Sequence, residues 1–198
     1  MDFSANITAM RADHSDFEVF AGGKKLGDAT LGIPGRHNVS NALAAIALAT
    51  RLGVSFDLVK HALQSFRGAR RRFEIRHMGE RFKVIDDYGH HPSEVAATLA
   101  TAEGLKPKRI LCLFQPHRYS RTQLLKKEFG AAFGNVDELF VTDIYPASEK
   151  PLPGVSGETI LEEVRAQSAV KCHSTPTMQQ ARDIVGNEPF ALLLPDMI

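Results

Sequence analysis

From Arg72 onward, short apolar runs near residues 82–87, 109–114, 138–143, 169–172 and 190–194 alternate with segments of helical character near 92–103, 121–133, 157–167 and 176–185. No other feature limits the possible folds as tightly. A strand reaches a parallel neighbour only through a long crossover, most often a helix, so strand and helix in alternation predict βαβ units. The expectation is an α/β domain on a Rossmann-like, mostly parallel sheet with helices on both faces.

The first third of the chain reads differently. Phe17 and Val19 alternate with Asp16 and Glu18, and Ala29, Leu31 and Ile33 alternate with Asp28, Thr30 and Gly32, around a Gly22-Gly23 pair suited to a tight turn. Residues 1–33 are therefore expected to be β structure containing a hairpin. After Pro34-Gly35, the stretch from Asn38 or Asn41 to Leu52 is apolar nearly all round, which predicts a buried helix. A second helix follows, capped by Ser55 or Asp57, with Leu58, Val59, Ala62, Leu63 and Phe66 on one face. A hairpin and two helices offer little core. Residues 1–67 thus read as the incomplete end of one domain and residues 68–198 as a second, complete domain.

A net charge of +1 over 198 residues argues against a nucleic-acid surface, and the basic run Arg70-Arg71-Arg72 is answered at once by Glu74. No apolar stretch approaches the ~20 residues of a membrane span, and Met1-Asp2-Phe3-Ser4 lacks the form of a secretory signal. The expected setting is the cytoplasm, without membrane insertion. Cys112 lies within an apolar run and Cys172 in another, far apart and without a Cys-x-x-Cys partner, so both read as free thiols.

Chemistry-bearing side chains gather where apolar runs end. Ile85-Asp86-Asp87-Tyr88-Gly89-His90-His91-Pro92 follows one run and Phe114-Gln115-Pro116-His117-Arg118-Tyr119-Ser120-Arg121-Thr122 follows the next. Ligands of open α/β sheets bind at the carboxyl ends of the parallel strands, so two strands are expected to deliver acids, imidazoles and guanidinium groups to one rim. Adjacent strand residues point to opposite faces, which argues against Asp86 and Asp87 holding one metal ion together. His90 and His91 on one turn make a poor zinc pair, and no metal site is assigned. Pro92 suits the first position of the next helix. Ser120 and Gln123 have capping-box spacing, predicting a helix start that carries Arg118 and Arg121 at the positive end of its dipole. Either an anion or an acidic side chain nearby would relieve that arrangement. Arg72 reads either as a solvated charge paired with Glu74 or as a phosphate ligand, and Asn38 either as a helix cap or as a partner for adenine.

Four collinear motifs carry a resemblance. They are Pro34 to Leu43 (PGRHNVSNAL), Arg71-Arg72-Phe73-Glu74, the run from Asp86 to Pro92, and Thr142-Asp143-Ile144-Tyr145 with Glu149-Lys150-Pro151. In this order they resemble the Mur ligases, and the QPHRYSRT run is similar to the branch that uses L-alanine. The resemblance implies an ATP-dependent ligase of peptidoglycan synthesis, acting on UDP-N-acetylmuramate and L-alanine. It implies that Asn38 and Asn41 face the adenine of ATP with His37 in the same wall, that Arg72 clamps its phosphates and that Asp87 holds its ribose, leaving Asp86 to accept backbone N–H groups. It places Tyr88 and His90 on the substrate side and gives Arg118 and Arg121 to the carboxylate of L-alanine, with His90, Arg118 and Arg121 as the catalytic set.

The chain contains no G-x-x-x-x-G-K-[ST] phosphate loop and no G-x-G-x-x-G fingerprint. The resemblance therefore implies that residues 1–67 end a central ATP-binding domain. The phosphate loop, the Mg²⁺ ligands and the UDP-sugar site would then lie upstream, in the rest of that domain and an N-terminal one, and this chain alone is expected to be inactive. Two other readings are a non-catalytic nucleotide- or amino-acid-binding module and the related ligase that adds a peptide to UDP-N-acetylmuramate.

Overall fold

The computed structural model describes residues 2–79, 82–175, 177, 179, 180, 183 and 191–194, the last four by their backbone. Two compact units are present, one of Met1–Ala69 with Gly104–Lys106, the other of Arg70–Glu103 with Pro107–Ile198.

In the first unit, strands β1 (Phe3–Met10), β2 (Ser15–Ala21) and β3 (Lys24–Leu31) form an antiparallel sheet in that order. The β2–β3 turn uses Gly22 and Gly23, both at positive φ, as the glycine pair predicts. The sheet also has a third strand, β1, beside the expected hairpin. Alternation places Phe17, Val19, Ala29 and Leu31 on one face, where they form a core with Val39, Ala42 and Ile46 of helix α1 (Arg36–Arg51) and Val59 of helix α2 (Phe56–Ser65). Phe17 is fully buried, and truncating such a ring to alanine costs about 3–5 kcal/mol.

Both helices depart from expectation. α1 buries one stripe, leaving Ala44 and Ala45 exposed and Leu48 62% exposed, so it is not buried all round within this unit. α2 buries Val59, whereas Leu58 and Ala62 face outward and Phe66 is 47% exposed. Leu58 lies about 100° around the helix from Val59, so an apolar neighbour in sequence does not share its face.

The second unit holds a six-stranded sheet of order β4-β5-β9-β6-β7-β8. Its strands are β4 (Glu74–Met78), β5 (Lys83–Asp86), β6 (Leu111–Phe114), β7 (Glu138–Val141), β8 (Lys171–Ser174) and β9 (Ala191–Leu194). All neighbours pair in parallel except β4, which is antiparallel to β5. The α/β architecture is the expected one. β4 was not foreseen: Glu74-Ile75-Arg76-His77-Met78 is short and polar, as suits an edge strand that discourages further pairing. β6 and β7 are buried along their whole lengths and, apart from Glu138 at the start of β7, read as continuous apolar runs.

The crossovers are α3 (Pro92–Gly104), α4 (Tyr119–Leu124) with α5 (Lys126–Ala132), and α6 (Glu158–Gln167). Pro92 opens α3, as its fixed φ favours. The single helix expected over 121–133 is interrupted at Leu125. The rings of Phe129 and Phe133 from this stretch lie 5.4 and 5.2 Å from Phe114 of β6. A helix expected over 176–185 falls largely outside the described residues.

Candidate active site

Registry sets the rim. Asp86 pairs with Leu193, Leu193 with Leu113, and Phe114 with Val141, so the carboxyl ends of β5, β6 and β7 stand level. The loops leaving these ends carry Asp87 to His91, Gln115 to Arg118 and Thr142 to Lys150.

Asp87 is 4% exposed, and its carboxylate is engaged by backbone. Oδ2 accepts the N–H of Phe73 and Oδ1 that of Gly89, each at 2.7 Å. The backbone N–H groups that the resemblance gives to Asp86 are held by Asp87. Asp86 instead faces Arg76 Nε at 3.4 Å and Arg71 Nε at 3.8 Å, and its buried Oδ1 has no hydrogen-bond partner among the described residues. The two side chains diverge as strand alternation requires.

Phe73 N–H reaches Asp87 because Arg71 and Phe73 both adopt left-handed φ, 57° and 50°. The same bend lets Arg71 O accept the N–H of Tyr88 at 2.6 Å. The Arg71 guanidinium lies over the Tyr88 ring, 4.8 Å from its centre, with that of Arg72 at 5.9 Å. Arg72 does not pair with Glu74, whose carboxylate binds Arg71 N–H and Arg76. Arg72 instead meets Glu94, at 3.4 Å.

Glu94 escaped sequence reasoning, although an acid at the third position of a helix is a capping signal. Its Oε2 accepts the N–H groups of His90 and His91, both at 3.1 Å. Partial burial raises its pKa, but those N–H groups and the charges of His90 and Arg72 outweigh burial, and the carboxyl sits below its usual range.

His90 Nδ1 lies 2.9 Å from Tyr88 O. A carbonyl can only accept, so Nδ1 carries the proton, and in the neutral ring Nε2 keeps a lone pair. The His90 ring is 5.6 Å from His117, which is 5.4 Å from Tyr145. Arg121 reaches back to His117, its Nη1 3.2 Å from the carbonyl oxygen and 3.3 Å from Nδ1. A guanidinium has no acceptor, so His117 Nδ1 accepts and the proton resides on Nε2. The structure therefore brings Tyr88, His90 and Arg121 together through His117, a residue the sequence reading had left without a role.

Ser120 does not cap α4. Arg118 occupies the N-cap at φ 75°, without a side-chain bond, while Ser120 donates N–H and hydroxyl to Glu149, at 3.0 and 2.6 Å. These bonds hold the Glu149 pKa down, with help from the charge of Arg118. The negative group sought at this helix start is thus partly supplied from within the chain. No local signal could have revealed it, because the partners are 29 residues apart.

In the first unit, Asn38 is half-buried and donates to Pro34 O at 2.6 Å. Gly35, at φ 113°, occupies the N-cap expected of Asn38. Asn41 and His37 are exposed on the same first turns of α1. Among the described residues, no group of three or more His, Cys, Asp or Glu is placed to hold a metal ion. None of the described helices is long and apolar enough to cross a membrane.

The family described as "Mur ligase, glutamate ligase domain" matches residues 71–187, more than half of the chain. The chain belongs to the Mur ligase family. UDP-N-acetylmuramate–L-alanine ligases are similar to this Mur ligase chain: that of Nitratidesulfovibrio vulgaris is 52% identical over 165 residues, covering 83% of this chain and 36% of the relative. That of Clostridium kluyveri is 46% identical over 169 residues, covering 85% and 37%. The crystal structure of the UDP-N-acetylmuramate-alanine ligase of Thermotoga maritima superimposes with a TM-score of 0.80 at 28% identity, over 98% of this chain and 43% of that one. A murein peptide ligase from Psychrobacter arcticus shares the fold, with a TM-score of 0.61 at 23% identity over 97% and 40%. The Mur ligase chain therefore spans just over a third of the length of the curated relatives it matches.

Proposed function

We propose that this chain is the carboxyl-terminal part of an ATP-dependent ligase of peptidoglycan synthesis that joins L-alanine to UDP-N-acetylmuramate. The chemistry is phosphorylation of the lactyl carboxylate by ATP, attack of the L-alanine amine on the acyl phosphate, and loss of phosphate. Arg118 and Arg121 hold the amino-acid carboxylate, and Tyr88 and His90 line the place of the amine. The observation that carries this reading is the convergence of His90, His117 and Arg121 on one rim, in a chain whose relatives are named for this reaction.

An amino acid arrives as an ammonium and must shed a proton before it attacks. The lone pair on His90 Nε2 suits that transfer, since its Nδ1–H is oriented by Tyr88 O with Glu94 beyond it at 3.8 Å. Arg72 goes to the ATP phosphates, Asp87 to the ribose, and Asn38 and Asn41 to the adenine. Asp87 can serve only with the lone pairs its two backbone donors leave over. Among the described residues no three or more His, Cys, Asp or Glu gather as a metal site, and the magnesium ligands would lie mainly in upstream sequence. The rest of the central domain and an N-terminal domain would supply the phosphate loop and UDP-sugar site.

The test is phosphate release in the presence of ATP, UDP-N-acetylmuramate and L-alanine. A full-length ligase carrying these residues is expected to release phosphate only when L-alanine is present, and the purified chain is expected to release none. Release by the chain alone would refute its dependence on upstream sequence. Preference for a peptide over L-alanine would assign the related ligase, and binding without turnover by the full-length protein would assign a binding module.

A further inference from the structure

We propose that Glu149 is a positioning residue for the amino-acid clamp: its carboxylate joins the loop after β7 to the start of α4 and sets where Arg118 and Arg121 stand. The inference rests on the assignment of these arginines to the substrate carboxylate.

Two joins tie the loop after β6 to the loop after β7. In the first, Arg118 N–H donates to Tyr145 O and Tyr145 N–H to Pro116 O, both at 2.8 Å. In the second, the two carboxylate oxygens of Glu149 separately take the N–H and the hydroxyl of Ser120. Arg118 lies between the joins in a left-handed conformation, φ 75°, that a side chain rarely adopts. The facing loop bends through two more such residues, Ala147 at 46° and Ser148 at 72°. Three unfavourable residues in one pair of loops persist only where surrounding bonds over-determine them. Glu149 supplies two of those bonds across the loops.

Arg121 stands one residue past Ser120, in the first turn of α4, and its guanidinium reaches back to His117. Freeing Ser120 would therefore loosen the backbone on both sides of the arginines. The carboxylate also acts through charge. Ionised beside Arg118, it offsets part of that guanidinium's charge when no substrate is bound. Glu149 has no reacting group to touch in this scheme.

The experiment is Glu149→Gln in a full-length ligase carrying these residues, with Ser120→Ala, the double variant and Arg121→Ala beside it. Glutamine keeps one acceptor oxygen but loses the charge and the second acceptor. The expected result is an L-alanine KM raised about fivefold or more, with the ATP KM changed by less than about twofold, as for a lost charge-assisted bond that orders a single subsite. Ser120→Ala should shift the L-alanine KM in the same direction by less. The double variant should fall short of the product of the two single effects, because both remove one join. Amide exchange at Ser120 in Glu149→Gln checks that the join has opened. An opened join with an unchanged L-alanine KM overturns the proposal. So does a rise of both KM values together with a lower melting temperature, which would mark Glu149 as structural only. Unchanged alanine kinetics in Arg121→Ala would instead sink the assignment of the arginines, whereas a defect there beside an unaffected Glu149→Gln removes this proposal alone.

Discussion

The carboxylate of Asp87 accepts the backbone N–H of Phe73 at 2.7 Å, and with it ties the bend at Arg71-Arg72-Phe73 to the turn that carries Tyr88 and His90. The second oxygen binds the Gly89 N–H so closely that a Cβ on Gly89 would meet it at 2.9 Å. A nucleotide-facing role for Asp87 is therefore coupled to the integrity of the loop.

Asp87→Ala should lower the stability of the chain as well as weaken ATP use. Each buried N–H left unpaired costs about 1–3 kcal/mol. Urea unfolding of the purified variant reads the first effect, and the ATP KM of the full-length ligase the second. An undiminished unfolding midpoint would show that the two N–H groups find other acceptors.

Arg121→Ala should weaken L-alanine use at least tenfold, since removing one partner of a desolvated charge pair costs on the order of 2–5 kcal/mol. Lysine should rescue poorly, because it loses the planar fork that reaches His117 and would hold the proposed substrate carboxylate. Use of UDP-N-acetylmuramate should change little. A defect confined to ATP would move this guanidinium to the phosphate site.

Glu94 gives the loop an acid-sensitive element. Its folded pKa lies below the ordinary 4.5, so its contribution is complete above the unfolded value and is lost as pH falls through the folded one. The Arg72 guanidinium and the N–H groups of His90 and His91 favour the ionised form. The stability gap between the chain and its Glu94→Gln variant should be constant at neutral pH and close below pH 4.5. Urea midpoints at pH 7 and at successively lower pH measure it, and a gap independent of pH would mean that charge plays no part.

Glu138 anchors the far edge of the second sheet. Buried at the start of β7, it meets Arg109, Lys171 at 3.2 Å and His173 at 2.7 Å, and burial is outweighed by these partners, which lower its pKa. Glu138→Gln leaves the positive charges of Arg109 and Lys171 less compensated and should destabilise the chain by about 1–2 kcal/mol, less than a fully buried pair because both side chains are more than a third exposed. Amide exchange in β8 should rise first, and unchanged exchange there would show that strand pairing alone holds this edge.

The sequence by itself determined the α/β class, the family and the loops that would carry the chemistry. Period and turn chemistry are local: continuous apolar runs make β6 and β7, Gly22-Gly23 makes a turn, and Pro92 starts α3. It could not show which strand lies between β5 and β6, because β9 enters there from the far end of the chain. Nor could it show which of Asp86 and Asp87 faces the backbone, which acid meets Arg72, or what satisfies the first turn of α4. Those outcomes depend on partners separated by 14, 22 and 29 residues, brought within hydrogen-bond or ion-pair distance only once the sheet sets its strands in register. Side-chain contacts at a rim built from three strands are long-range properties, and the tertiary structure decided them.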